Sequence, residues 1–176
     1  MSYNVHGKFI AKHINSTDSV LDLGCGILQQ FGGVPPCEKY LAVDGFFPYL
    51  ENLVNSTSIM TLQGMLPEVC NQFVDNSWDV VILIDVIEHL EKDDGLLVLD
   101  NMYRIARRRV IIDTPLGFIP QEGWDAWDLP YCELQAHLSG WNIEDFTDRG
   151  YVVTKLPNHS RQTGYHESIL AVLEKK

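Results

Sequence analysis

The chain has little that would mark an exported, membrane-embedded or nucleic-acid-coating protein. Its four cysteines, Cys25, Cys37, Cys70 and Cys132, include no Cys-x-x-Cys pair. That removes the spacing expected of a zinc ribbon or a disulfide framework, and leaves reduced thiols in a cytoplasmic protein as the expectation. The longest mostly apolar run, 80–87, is broken by Asp85 and falls far short of the roughly 20 residues that a membrane helix needs. Residues 1–14 scatter His6, Lys8, Lys12 and His13 among apolar positions, so they do not read as a signal peptide. Positive charge is scarce, with 13 Lys and Arg against 24 Asp and Glu for a net charge of −11. Phosphate contacts supply most nucleic-acid affinity, so this balance disfavours such a partner. The one basic cluster, Arg104, Arg107, Arg108 and Arg109, is expected to end a helix, where cations complement the dipole. Without repeats, low-complexity tracts or a boundary, residues 1–176 are expected to form one domain around one core.

Short apolar runs alternate with helix-like stretches, which predicts a parallel sheet covered on both faces. The expected strands are 19–23, 39–43, a weaker 58–62, 78–84 and 110–113. Residues 78–84 are apolar apart from Asp79, with 80–84 a continuous run, as a central strand buried on both faces should be. A helix is predicted before the first strand over 5–14. Another is predicted between the fourth and fifth, with Leu96, Leu99, Tyr103 and Ala106 on one face. The stretch 28–33 holds barely two turns before Gly32-Gly33 and Pro35-Pro36 stop it. Residues 114–141 are too long for an ordinary connection and carry Trp124, Trp127, Tyr131 and Trp141. They are expected to form a lid in which aromatics provide packing area. A short helix over 142–148, stopped by Gly150, and two strands at 151–156 and 167–173 close the chain.

Three segments carry the chemistry. In Val20-Leu21-Asp22-Leu23-Gly24-Cys25-Gly26, a strand runs into an acidic residue and two glycines, which let a backbone approach a ligand closely. Asp44 ends the second strand about 20 residues later, where a carboxylate accepts hydrogen bonds from a ribose diol. Asp85-Val86-Ile87-Glu88-His89-Leu90 follows the fourth strand, at the point where doubly wound sheets hold ligands.

On these residues the chain resembles the class I S-adenosylmethionine-dependent methyltransferases over roughly 20–173. The resemblance implies a Rossmann-like, doubly wound α/β fold: seven mostly parallel strands, the last antiparallel, with helices on both faces. It implies S-adenosylmethionine as cofactor, with Asp22, Gly24, Cys25 and Gly26 at the methionine part and Asp44 and Gly45 at the ribose. Met65 and Asp85 complete the expected cofactor contacts. Two positions depart from the family pattern. Leu28 stands at the third glycine position, and Gln63-Gly64-Met65-Leu66-Pro67 lacks the carboxylate that often meets the adenine amine.

The sulfonium brings its own electrophile, so the protein's task is to place the acceptor and exclude water. For a hydroxyl acceptor a general base contributes about 10²–10⁴-fold, and His137, His89 and Asp113 are the candidates. His137 begins a His-x-Ser-x-Trp stretch that resembles one in some bacterial methyltransferases. The Asp85-x-x-Glu88-His89 spacing also resembles the metal ligands of ubiquinone-pathway O-methyltransferases and small-RNA 2′-O-methyltransferases, with His137 completing the set. Glu-His-Leu also occurs in many methyltransferases without a metal, with Glu88 and His89 opening a helix; that reading is favoured, and no metal is assigned on the sequence. The function expected is O- or N-methylation of a small molecule. The alternatives are a non-catalytic, degenerate methyltransferase-fold binding module and an RNA 2′-O-methyltransferase. A nicotinamide or flavin oxidoreductase ranks behind these, because its third fingerprint glycine would fall at Gln29.

Overall fold

The computed structural model describes residues 5–28, 34–51, 53–54, 56, 58–123, 132–160 and 164–175. The helix expected over 28–33 and the aromatics Trp124, Trp127 and Tyr131 lie outside or almost outside these residues.

Seven strands form one sheet: β1 (Ser19–Leu23), β2 (Lys39–Asp44), β3 (Met60–Gln63), β4 (Trp78–Ile84), β5 (Ala106–Pro115), β6 (Val152–Ser160) and β7 (Gly164–Glu174). Their order is β3-β2-β1-β4-β5-β7-β6. The first five are parallel to one another, and β7 runs antiparallel to both β5 and β6. This is the Rossmann-like methyltransferase architecture that the sequence implies.

Burial on both faces explains the apolar runs. In β4, Val81 and Leu83 enter one core cluster while Val80, Ile82 and Ile84 enter the other. In β5, Val110 and Ile112 take the first face and Ile111 the second. The first face is covered by α3 (Lys92–Ile105) and α4 (Ile143–Thr147), through Val98, Leu99, Met102, Ile105 and Phe146. The second is covered by α1 (Val5–Ala11) and the single turn of α2 (Phe47–Leu50), through Ile10 and Leu50.

Two expectations need correction. The buried face of α3 is Gly95, Val98, Leu99, Met102 and Ile105, whereas Tyr103 is exposed and Ala106 already belongs to β5. The periodic pattern runs one step past the helix end, because β5 starts four residues earlier than its apolar run. The arginine cluster is therefore mostly on a strand, with only Arg104 in the last turn of α3. Each arginine has a carboxylate: Arg104–Asp75 at 2.8 Å, Arg107–Asp79 at 2.6 Å, Arg108–Asp18 at 2.6 Å and Arg109–Glu174 at 2.5 Å. The four cysteines are free. Among the described residues no helix is long and apolar enough to cross a membrane.

Candidate functional site

The chain order reverses between β1 and β4, so the crevice outside their carboxyl ends is where such a sheet receives a ligand. Four segments meet there.

The first is the turn after β1. Gly24 and Gly26 have φ of +75° and +51°, in the left-handed region that side chains disfavour. The N–H groups of Gly24 and Cys25 donate to the Val43 carbonyl at 2.8 and 2.9 Å, tying the turn to β2. A Cβ on Gly24 would lie 2.4 Å from Val86 Cγ2, so the glycine also lets the segment after β4 pack against the turn. Leu28 keeps a glycine-like φ of +61°. The missing third glycine has therefore not changed the local backbone sign, and the side chain is accommodated by burial in the second core cluster. Cys25 is buried as well, with its thiol turned to the Gly26 carbonyl at 3.4 Å.

The second segment is the end of β2. Asp44 Oδ2 accepts from the Gly26 N–H at 2.9 Å and Oδ1 from the Phe46 N–H at 2.8 Å. One carboxylate thus fixes the glycine turn and the exit of β2 together. Burial pushes its pKa up, and the N–H groups of Phe46, Gly26 and Gly45 oppose that shift. Three donors on a carboxylate with about four lone-pair sites leave acceptor capacity for a ligand hydroxyl. A Cβ on Gly45 would meet Met65 Sδ at 2.4 Å, which brings together two residues expected at the cofactor. Asp22 sits deeper, 3% exposed, and accepts from the Tyr40 hydroxyl at 2.5 Å. Burial raises its pKa to about 7 against the Tyr40 hydrogen bond, and the Asp44 charge adds to the rise. Tyr40 was not foreseen, although its place 18 residues on, paired beside β1, was available from the strand register.

The third segment follows β4. Asp85 has φ +50° and its N–H donates to the Asp113 carbonyl at 2.9 Å. Burial, helped by the Asp113 charge and opposed by His6, raises its pKa to about 7. Glu88 is 3% exposed, and Thr114 donates its hydroxyl to Oε2 at 2.9 Å. His89 faces the Ala136 carbonyl through Nδ1 at 3.1 Å. Burial, with a smaller push from His137, lowers its pKa to about 4, so the ring is neutral at ordinary pH.

The fourth segment is the late loop. A 3₁₀ turn, Glu133–Gln135, brings Leu134 Cδ1 to 3.5 Å from where a Gly45 Cβ would stand. Leu138 and Ser139 donate their N–H groups to the Glu88 carbonyl at 2.8 and 3.1 Å. Trp141 is fully buried and donates to the Ser139 hydroxyl at 2.9 Å, with Lys92 Nζ 3.6 Å above its ring. Residues 134–139 therefore reach from the end of β2 to the segment after β4. His137 Nδ1 faces the Ile119 carbonyl at 2.6 Å, and its ring stands 4.8 Å from that of His89, edge on. Burial lowers the His137 pKa too.

The three candidate bases are thus divided. His89 and His137 meet with Glu88, and their ligand atoms all lie within 4.8 Å of one another. Asp113 pairs with a residue of α1. Its carboxylate is 0% exposed and lies 2.5 Å from His6 Nδ1, while His6 Nε2 bonds the Pro157 carbonyl at 3.1 Å. This pairing ties α1 to β5 and, through Pro157, to β6. Nothing in the sequence joins positions 107 residues apart, so this pairing was not legible.

Comparison with solved structures returns the same fold from several organisms. The YcgJ protein of Bacillus subtilis superposes with a TM-score of 0.67 at 12% identity, over 97% of this chain and 98% of its own. A SAM-dependent methyltransferase of Methanosarcina mazei gives 0.65 at 12% identity, over 95% and 96%. Magnesium protoporphyrin IX methyltransferase of Synechocystis PCC 6803, with SAM bound, gives 0.59 at 18% identity, over 96% and 76%. No curated protein matches the chain significantly. Residues 6–120, running from the His6 anchor through the whole of β1 to β5, match the family described as methionine biosynthesis protein MetW. The match spans well over half of the sequence, and the chain belongs to the MetW family.

Proposed function

We propose that this protein transfers a methyl group from S-adenosylmethionine to an oxygen or nitrogen of a small-molecule acceptor. The observation that carries the reading is Asp44. It stands at the carboxyl end of β2 with both oxygens braced by the Gly26 and Phe46 N–H groups, beside two glycines of positive φ. That arrangement presents a fixed pair of acceptors to a ribose diol. Gly24, Cys25, Gly26 and Asp22 line the approach for the methionine part, and Gly45 with Met65 flank the adenosine side. Asp85 closes the crevice from β4. The fold shared with the Methanosarcina and Synechocystis methyltransferases supports the same assignment.

The acceptor binds between this crevice and the late loop. There His89 and His137 present neutral imidazoles that take up the proton of a hydroxyl, a contribution of about 10²–10⁴-fold. A small acceptor is favoured by the net charge of −11 and by arginines already paired with carboxylates. Cytoplasmic activity accords with the four free cysteines.

The test is thermal unfolding with and without S-adenosylhomocysteine. The ligand should raise the wild-type midpoint. The rise should disappear in Asp44→Ala, each protein being compared with its own unliganded midpoint because the substitution also removes two backbone contacts. An equal rise in both proteins would exclude Asp44 from the cofactor site.

A further inference from the structure

A groove of about 400 Å³ lies away from the crevice, on the face of the sheet that α3 and α4 cover. It is lined by Leu99, Asp100 and Tyr103 of α3, by Arg149 and Tyr151 between α4 and β6, and by Leu173 of β7. Leu173 pairs with Val110 toward the start of β5, whereas the crevice lies beyond the carboxyl ends of the parallel strands. Gly150, at φ +88°, turns the chain between Arg149 and Tyr151 so that both side chains reach the same groove.

The polar groups there are incompletely used. Arg149 Nη1 donates to Asp100 Oδ1 at 2.7 Å, and both side chains reach solvent. Among the described residues, the other guanidinium N–H groups and Asp100 Oδ2 have no partner. Tyr151 is only 5% exposed, and no described residue bonds its hydroxyl. Burial holds that phenol in its protonated form, against Arg149 and with Asp100, so it is a donor without an acceptor. Buried polar groups are hydrogen-bonded as a rule, and this exception lines a groove. The remaining lining is apolar. Leu99 and Leu173 belong to the core beneath, and the Tyr103 ring is steadied by Lys175 Nζ at 4.5 Å from its centre.

We propose that this groove binds a zwitterionic α-amino acid with an apolar side chain. The ligand carboxylate accepts from the unused edge of the Arg149 guanidinium and from the Tyr151 hydroxyl, both charge-assisted bonds. The ligand ammonium donates to Asp100, and the side chain lies against Leu99, Leu173 and Tyr103. Because Arg149 and Asp100 stand side by side, they select for both charges at once. A simple carboxylate meets the Asp100 charge, and a simple amine meets that of Arg149. The groove shares no residue with the crevice, so the binding does not depend on methyl transfer.

The test is calorimetric titration of the full chain with L-leucine and L-phenylalanine, and with analogues of each that lack one charge. 4-Methylpentanoate and 3-phenylpropanoate lack the ammonium, and 3-methylbutylamine and 2-phenylethylamine lack the carboxylate. At least one of the two amino acids should bind at one equivalent, with its analogues weaker on the order of 10–100-fold. Arg149→Gln should weaken that amino acid by a similar factor, and Tyr151→Phe by on the order of 10-fold. Tyr151→Phe removes an oxygen that no described residue bonds, so its unfolding midpoint without ligand should match the wild type. It decides alone if Arg149→Gln does not fold. Saturable binding by neither amino acid, analogues that bind as tightly, or unchanged affinity in Tyr151→Phe overturns the proposal.

Discussion

Asp44 and Asp113 are both strand-end carboxylates, yet their surroundings give them opposite tasks. Asp44 is braced by N–H groups that leave acceptor capacity for a ligand. Asp113 pairs with His6 through Oδ2. Burial opposes a charged His6, but the Asp113 hydrogen bond and charge outweigh it and lift the imidazole to about 9. The folded value lies above the ordinary 6.5, so the pair's contribution is fully present below that pH and fades as pH rises through about 9. Removing one partner of such a buried pair costs about 3–5 kcal/mol. His6→Gln should accordingly lower the urea midpoint strongly at pH 6 and much less at pH 10, where wild type has lost the same interaction. A gap that stays constant between the two pH values would show that His6 acts by packing alone.

Among the elements, the late loop depends most on one side chain. Trp141 packs so closely on α3 that a Cβ on Gly95 would lie 2.5 Å from its ring, and its indole N–H meets Ser139. Truncating a fully buried Trp costs about 3–5 kcal/mol. Trp141→Ala should therefore reduce the unfolding free energy by that amount, whereas Trp141→Phe should keep most of it. Equal losses in the two would assign the effect to the lost N–H hydrogen bond instead. The strands were legible because burial on both faces writes continuous apolar runs, and 19–23 and 78–84 coincide with β1 and β4. The boundary of β5 was not, because Arg107 and Arg108 lie on its exposed start and interrupt the apolar signal. The glycine turn and Asp44 could be read because their spacing is local. The Glu88–His89–His137 cluster was visible only as a family resemblance, since His137 is brought back across 48 residues by contacts such as Ser139 to Glu88.

Across the whole molecule, the sheet order, the reversal between β1 and β4, and the lid-like loop all direct attention to one crevice. The segments at those strand ends supply glycines of positive φ and a braced carboxylate, and the turn after β4 and the late loop supply a histidine pair. A fold of this type hosts many activities, and the site residues have to carry the functional reading. The most direct measurement is calorimetric titration of the purified protein with S-adenosylmethionine and, separately, with NADH. The account predicts saturable one-to-one binding of S-adenosylmethionine and no heat of binding from NADH. Binding of NADH alone would contradict it in favour of an oxidoreductase, and binding of neither would make the chain a scaffold whose crevice serves no cofactor.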